Sequence, residues 1–336
     1  MKKNFKLIVF ALAASCIWGG CNKAGKLSQE STAKTPPSGP VQLVQKWTDG
    51  EQMVKHIDMK MNMEINVPNL PNPVNQDMNM MEKYSLAVSK PDSSGGKVEL
   101  EFLRLRMDSV QEGRTNFSYD SDVKADATKD RTAAAIGKGL QGMIGAKLDF
   151  FLNATNGVDR IDGVDNLMSR LSAGGPAMRS SGLKNMFNKG TLEQMIGESQ
   201  YLPPQAVQPG DKWPAQSEVD LGEMGTLTAS NIITLAQWEK RGPRLCARLE
   251  FDGTFHGKPA EKPKAMGMSM AIQDGTTSGV CWFDPELGTI IDSDVNQDMT
   301  MAITVPMPAQ GGGKATPQAM KMAMHLVMNF KLDSVK

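Results

Sequence analysis

The sequence predicts a β-rich α+β protein, with long antiparallel strands forming a curved sheet or two related β halves and a helical segment in the middle. Three observations carry this prediction. Residues 56–67 alternate without a break: Ile57, Met59, Met61, Met63, Ile65 and Val67 fall on one face, and His56, Asp58, Lys60, Asn62, Glu64 and Asn66 on the other. The C-terminal stretch repeats the pattern, with Met320, Met322, Met324, Leu326, Met328, Phe330 and Leu332 opposite Lys321, His325, Asn329, Lys331 and Asp333. Period two over such lengths marks antiparallel strands with one buried face. Between them, residues 132–146 and 164–200 carry helical apolar spacing, as in VDNLMSRL and LEQMIGE, interrupted by Gly and Ser into short helices.

Taken in order, the chain opens with Lys2, Lys3 and Lys6, followed by an apolar run from Leu7 to Trp18. That run is too short to cross the ~30 Å core of a bilayer and fits the apolar region of a signal peptide. It closes in LAASCIWGGCNK. Small residues before a cysteine mark a lipoprotein signal, which makes Cys21, preceded by Gly19 and Gly20, the expected acylated residue and Cys16 the alternative. Residues 1–20 then form the signal peptide. Residues 21–40 form a tether whose Ser, Thr, Lys, Gly and Pro offer almost nothing to bury. The expected address is the bacterial cell envelope, at the outer membrane or facing the periplasm, with the membrane contacted through the lipid.

Residues 41–200 read as an N-terminal β-rich half that includes the helical segment. In VELEFLRLRM the apolar phase shifts between Phe102 and Leu103, the signature of a β-bulge. KLDFFLNATNGVDRIDG (147–163) reads as a strand, a turn at Asn156-Gly157 and a second strand. Pro203, Pro204, Pro209 and Gly210 break the chain before Trp213, which is expected to anchor the C-terminal half, residues 201–336, by packing. Shorter alternations recur at 245–251, 266–272 and 299–305.

The halves also resemble each other. MNMEINVPNLP (61–71) and MTMAITVPMP (299–308) share the form MxMxIxVP, and each leads to a second Met-rich strand, QDMNMM or QAMKMAM. This points to a duplicated hairpin. VNQDMNM (74–80) and VNQDMTM (295–301) match at a different offset, which the hairpin register leaves as a coincidence.

The export signal, the Met-alternating strands, KLDFFLNATNGVDRIDG and YLPPQAVQPGDKWP (201–214) together resemble an uncharacterised family of bacterial secreted lipoproteins, a domain of unknown function. The resemblance covers most of the chain after the tether. It implies export and a shared fold, and it brings no activity or site residues with it.

Chemistry is sparse. With 37 basic and 37 acidic residues there is no basic field for nucleic acid. The three histidines, His56, His256 and His325, sit in no nucleophile or zinc motif, so no catalytic residue and no cofactor is expected and the protein reads as a non-enzyme. Aspartates in YDSDVKADATKD and GVDRIDGVDN fit no EF-hand loop and read as solvated turns. Cys246 and Cys281 lie in strand-like stretches, which leaves both a cross-strand disulfide and two buried thiols open.

Methionine is the oddity: 25 in 336 residues, several-fold above an average chain. On every alternating strand these residues share a face with Ile, Val, Leu or Phe, and the first reading is therefore core packing. The second is an adaptable apolar ligand cavity, with an apolar small molecule, or else an envelope protein, as partner. The third is Cu(I), for which Met59, Met61, Met63, Met320, Met322 and Met324 are the candidate ligands, since thioethers select that ion.

Overall fold

A computed structural model of the chain describes Ser31 and residues 35–68, 70–92, 95–123, 131–175, 189–220, 226–258, 269–307 and 316–336. Cys16, Cys21 and the expected signal segment lie outside them, as does most of the expected tether.

The N-terminal half supplies β1 (Gln52–Asn66), β2 (Val74–Asp92), β3 (Gly95–Gln111), β4 (Arg114–Asp120), β5 (Lys147–Leu152) and β6 (Val158–Asp162). Helix α1 (Arg131–Met143) sits between β4 and β5, and α2 (Val164–Leu171) and α3 (Lys189–Gln194) follow β6. The C-terminal half supplies β7 (Lys212–Asp220), β8 (Thr226–Arg241), β9 (Arg244–Lys258), β10 (Ser269–Asp284), β11 (Thr289–Met307) and β12 (Thr316–Val335). All twelve strands join one antiparallel sheet in the order β6-β5-β3-β2-β1-β12-β11-β10-β9-β8-β7, with β4 beside the far end of β3. Of the two forms the sequence allows, the single curved and unclosed sheet is the one found.

The path explains the order. From β1 the chain meanders outward to β6, crosses between the two sheet edges through α2 and α3, and meanders back inward from β7 to β12. Every pairing is therefore antiparallel, and the first and last strands meet at the centre. The alternation sets the faces: Met53, Met59, Met61, Met63 and Ile65 of β1 are buried, while Lys60, Asn62 and Glu64 are exposed. The expected bulge is present, since the β2–β3 register steps from Lys83 opposite Arg104 to Tyr84 opposite Phe102, leaving Leu103 as the extra residue. Leu105 and Met107 thereby return to the buried face.

The crossover is held onto the inner face of the sheet. Trp213 is buried and its Nε1 donates to the Tyr201 carbonyl at 2.9 Å. Gln45, 3% exposed, accepts from the backbone N–H groups of Glu198 and Ser199 at 3.2 and 3.1 Å and donates to the Ile196 carbonyl. An antiparallel bridge between Val41 and Val207 extends the same seam.

The sheet centre has a local two-fold arrangement. Asn62 of β1 faces His325 of β12, and on either side Met63 pairs with Met324 and Met61 with Leu326. One strand further out, Gln76 of β2 faces Met63, and Gln297 of β11 faces Leu326. A half-turn about the 62/325 pair therefore carries VNQDMNM of β2 onto VNQDMTM of β11, with Val, Gln and Met inward and Asn and Asp outward in both copies. The match that the hairpin register leaves as a coincidence occupies equivalent positions. The hairpin match holds as well: β1–β2 and β11–β12 are both antiparallel hairpins, displaced by two strands.

Candidate ligand site on the inner face of the sheet

Successive rows across the central strands carry the methionines. One row runs Gln76, Met63, Met324, Met299, and the next runs Met78, Met61, Leu326, Gln297. Ile65, Met322 and Met301 continue the wall on one side; Met80, Met59 and Met328 continue it on the other. Directly opposed residues on neighbouring strands hold their Cβ atoms ~5 Å apart, so the methionines and their aliphatic neighbours form one largely apolar surface. Met59, Met61, Met63, Met320, Met322 and Met324 are all buried, at 6% exposure or less. As a single ion site they are dispersed: the six span five rows, and of them only Met63 and Met324 oppose each other.

Polar groups interrupt this wall on the C-terminal side. Gln297 is 1% exposed, and neither its Nε2 nor its Oε1 has a hydrogen-bond partner. It opposes Thr277 of β10, whose Oγ1 is likewise unpartnered. Thr277 opposes Gly253 of β9, and Gly253 opposes Asn231 of β8, whose Oδ1 also has no partner. Gly253 is required there, because a Cβ at that position would lie 2.0 Å from the Asn231 Oδ1. The amide of Asn231 thus leans over the glycine towards Thr277. Phe251 and Phe255 flank Gly253 on the same face, each set against a glycine of β10, Gly279 and Gly275. On the other side of the dyad Gln76 donates to the Ser109 Oγ at 3.0 Å, and its Oε1 is unpartnered.

Charged groups lie at the covered end. Lys55, 2% exposed, places its Nζ 2.8 Å from Glu198 Oε1 and 2.9 Å from Thr289 Oγ1, with the Phe330 ring centroid 5.1 Å away. Arg244, 4% exposed, pairs with Asp284 and Glu286. Glu82 of β2, in register between Ile57 and Leu105, has an enclosed Oε1 with no partner, and burial pushes its carboxyl up to about 7. Burial also raises the phenol of neighbouring Tyr84, with the charges of Glu82 and Glu198 adding to the effect.

Cys246 and Cys281 are both buried free thiols. Cys281 opposes Leu249, three residues from Cys246, so the two side chains leave the sheet on opposite faces. Burial raises both thiols above their ordinary range.

The outer face is polar. Glu64, Asp77, Asp274, Asp298, His256 and His325 line an open cleft of about 720 Å³ over the same central strands. Its middle follows the dyad: Asn62 donates to Asp77 Oδ1 at 2.7 Å, and His325 Nδ1 lies 2.8 Å from Asp298 Oδ1. These pairs are solvated and contribute little to stability. His56 contacts Asp333 at 2.7 Å on this face. His56 and His325 therefore point away from the methionines of their own strands, as the alternation requires. Among the described residues no group of three or more His, Cys, Asp or Glu side chains is placed to hold a metal ion. No described helix is long and apolar enough to cross a membrane.

Comparison with known proteins gives a family and distant structural likenesses. Lipovitellin, in a structure concerned with lipid–protein interactions, aligns with 87% of this chain at 8% identity and a TM-score of 0.39, and the chain spans 26% of its length. A putative exported protein with a YmcC-like fold from Bacteroides fragilis aligns with 88% of this chain and 100% of its own at 9% identity and a TM-score of 0.27. An outer membrane channel from Pseudomonas putida aligns over 88% and 100% at 9% identity and a TM-score of 0.21. No curated protein matches the sequence. The model of a family of unknown function, DUF6263, matches residues 95–290, more than half of the chain, and the protein belongs to that family.

Proposed function

We propose that the protein is an exported, lipid-anchored binding module of the bacterial cell envelope, not an enzyme, and that the methionine wall inside its sheet receives an apolar small molecule. The observation that carries this reading is the wall itself. Strand propensity favours β-branched and aromatic residues. Yet the two central strands and their neighbours place methionine at successive inward positions, including Met61, Met63, Met299, Met322 and Met324. An unbranched thioether chain changes rotamer cheaply and fits irregular apolar shapes, which suits a surface that must pack both with and without an occupant.

Native mass spectrometry of residues 22–336, exported to a periplasm and purified without detergent, tests the reading. The expected result is a stoichiometric adduct with the mass of an acyl-chain compound. Exchanging Met61, Met63 and Met324 for Ile keeps the face apolar but stiffens it, and should weaken that adduct at least tenfold with unchanged circular dichroism. A bare mass for the native chain, before and after incubation with an envelope lipid extract, would remove the ligand-binding reading.

Cu(I) binding is the second reading. It is favoured by one feature, the row Met63–Met324–Met299 on three adjacent strands. A copper adduct lost on Met63→Leu would establish it in the same experiment. The anchor has its own test. Metabolic labelling with a radioactive fatty acid is expected to persist in Cys16→Ser and vanish in Cys21→Ser; the reverse would move the lipid to Cys16.

A further inference from the structure

The inner face carries a strip of buried polar groups within its apolar wall. Gln297, Thr277 and Asn231 are 1%, 4% and 6% exposed, follow one another across β11, β10 and β8 with Gly253 between, and together leave four polar atoms without partners. Leaving a buried polar atom unpaired is costly, so such a strip within an otherwise apolar wall is expected to meet a partner brought from outside. The strip presents amide donors and acceptors and a hydroxyl, and no charge. The buried cations at the covered end, Lys55 and Arg244, are already engaged by Glu198 and by Asp284 with Glu286. A carboxylate or an ammonium buried on this strip would therefore lack a counter-ion, whereas an ester, amide or hydroxyl would be matched.

We propose that Gln297, Thr277 and Asn231 form a hydrogen-bonding subsite for an uncharged amphiphile of the acylglycerol class, with its chain lying along the methionine wall. This rests on the apolar-ligand reading and narrows it. Gln297 is the central residue, because its amide donates and accepts at once and both of its polar atoms are free.

The test uses residues 22–336, stripped of bound material, with three probes of equal chain length: 1-monooleoylglycerol, oleate at pH 8 and oleylamine. Native mass spectrometry should show monooleoylglycerol preferred at least tenfold over either charged probe. Gln297→Leu and Thr277→Val should each reduce that preference about tenfold. The ligand-free Gln297→Leu chain should unfold at a higher urea concentration than the native chain, because it no longer buries an unsatisfied amide. A residue with a purely structural role would give the opposite stability change. Equal or better binding of oleate or oleylamine, or monooleoylglycerol binding untouched by Gln297→Leu, would overturn the subsite and leave the apolar reading standing. Binding of none of the probes would overturn both.

Discussion

Replacing Glu198 by Ala should destabilise the protein by roughly 3–5 kcal/mol, the usual cost of stripping the partner from a buried charge. Glu198 holds three donors at once: Lys55 Nζ at 2.8 Å, Thr289 Oγ1 at 2.8 Å and the Ile290 backbone N–H at 2.8 Å. Lys55 is enclosed, so its ammonium cannot turn to water when the carboxylate is removed. Coulomb attraction is not what makes the change severe, since desolvation offsets much of it in an intact buried pair. The unpaired charge left behind is the cause. Two further variants separate these contributions. Lys55→Met alone should cost less, because Glu198 is 14% exposed and keeps two donors. Lys55→Met combined with Glu198→Gln should recover most of the loss. Urea denaturation of residues 22–336 measures all three. A loss below about 1 kcal/mol for Glu198→Ala would show that the crossover is held by Gln45 and Trp213 without this pair.

The same region shows where sequence reading stops. Alternation identified β1 and β12 because each buries one face and exposes the other, and in a pleated strand that requirement is written residue by residue. The bulge at Leu103 was legible for the same reason: the apolar phase has to reset if Leu105 and Met107 are to point inward. Strand neighbours were not legible. Period two fixes a face but not a partner, so nothing local says that Met63 lies beside Met324. Lys55 and Glu82 were missed although the signal was present. The stripe of β1, read back one step from Ile57, places Lys55 inward, and Gln76, Met78, Met80, Glu82 and Tyr84 share one phase of β2. An ionisable residue in an apolar phase is the sequence mark of a buried charge, visible once the strand is extended past its cleanest stretch. The two VNQDM copies gave a comparable hint: both put Gln inward between Val and Met, where strand chemistry would favour an apolar side chain.

Glu82 gives the second large effect, and its sign is opposite to that of an ordinary native carboxylate. Its carboxyl is raised from 4.5 to about 7 by burial, with no hydrogen bond to Oε1. Between those values the folded chain holds a proton that the unfolded chain has released. Stability from this group is therefore full below about pH 4.5, declines as pH rises to about 7, and is flat above. At 1.36 kcal/mol per pKa unit, with allowance for the part of the residue that solvent reaches, the difference is about 2 kcal/mol. Asp333 works the other way and in another window. Burial alone would raise it, but hydrogen bonds from His56 and Lys83, together with their charges, hold it down to about 2, so its contribution is lost only as pH falls below the ordinary carboxylate range. The two effects separate in a urea series from pH 5 to pH 8. The native chain should be about 2 kcal/mol more stable at pH 5 than at pH 8, and Glu82→Gln should flatten that slope and exceed the native stability at pH 8. A Glu82→Gln chain less stable than the native one at pH 8 would mean that the carboxylate is ionised and partnered there. The inner face at β2 would then be open to water at a place where the methionine wall needs it closed.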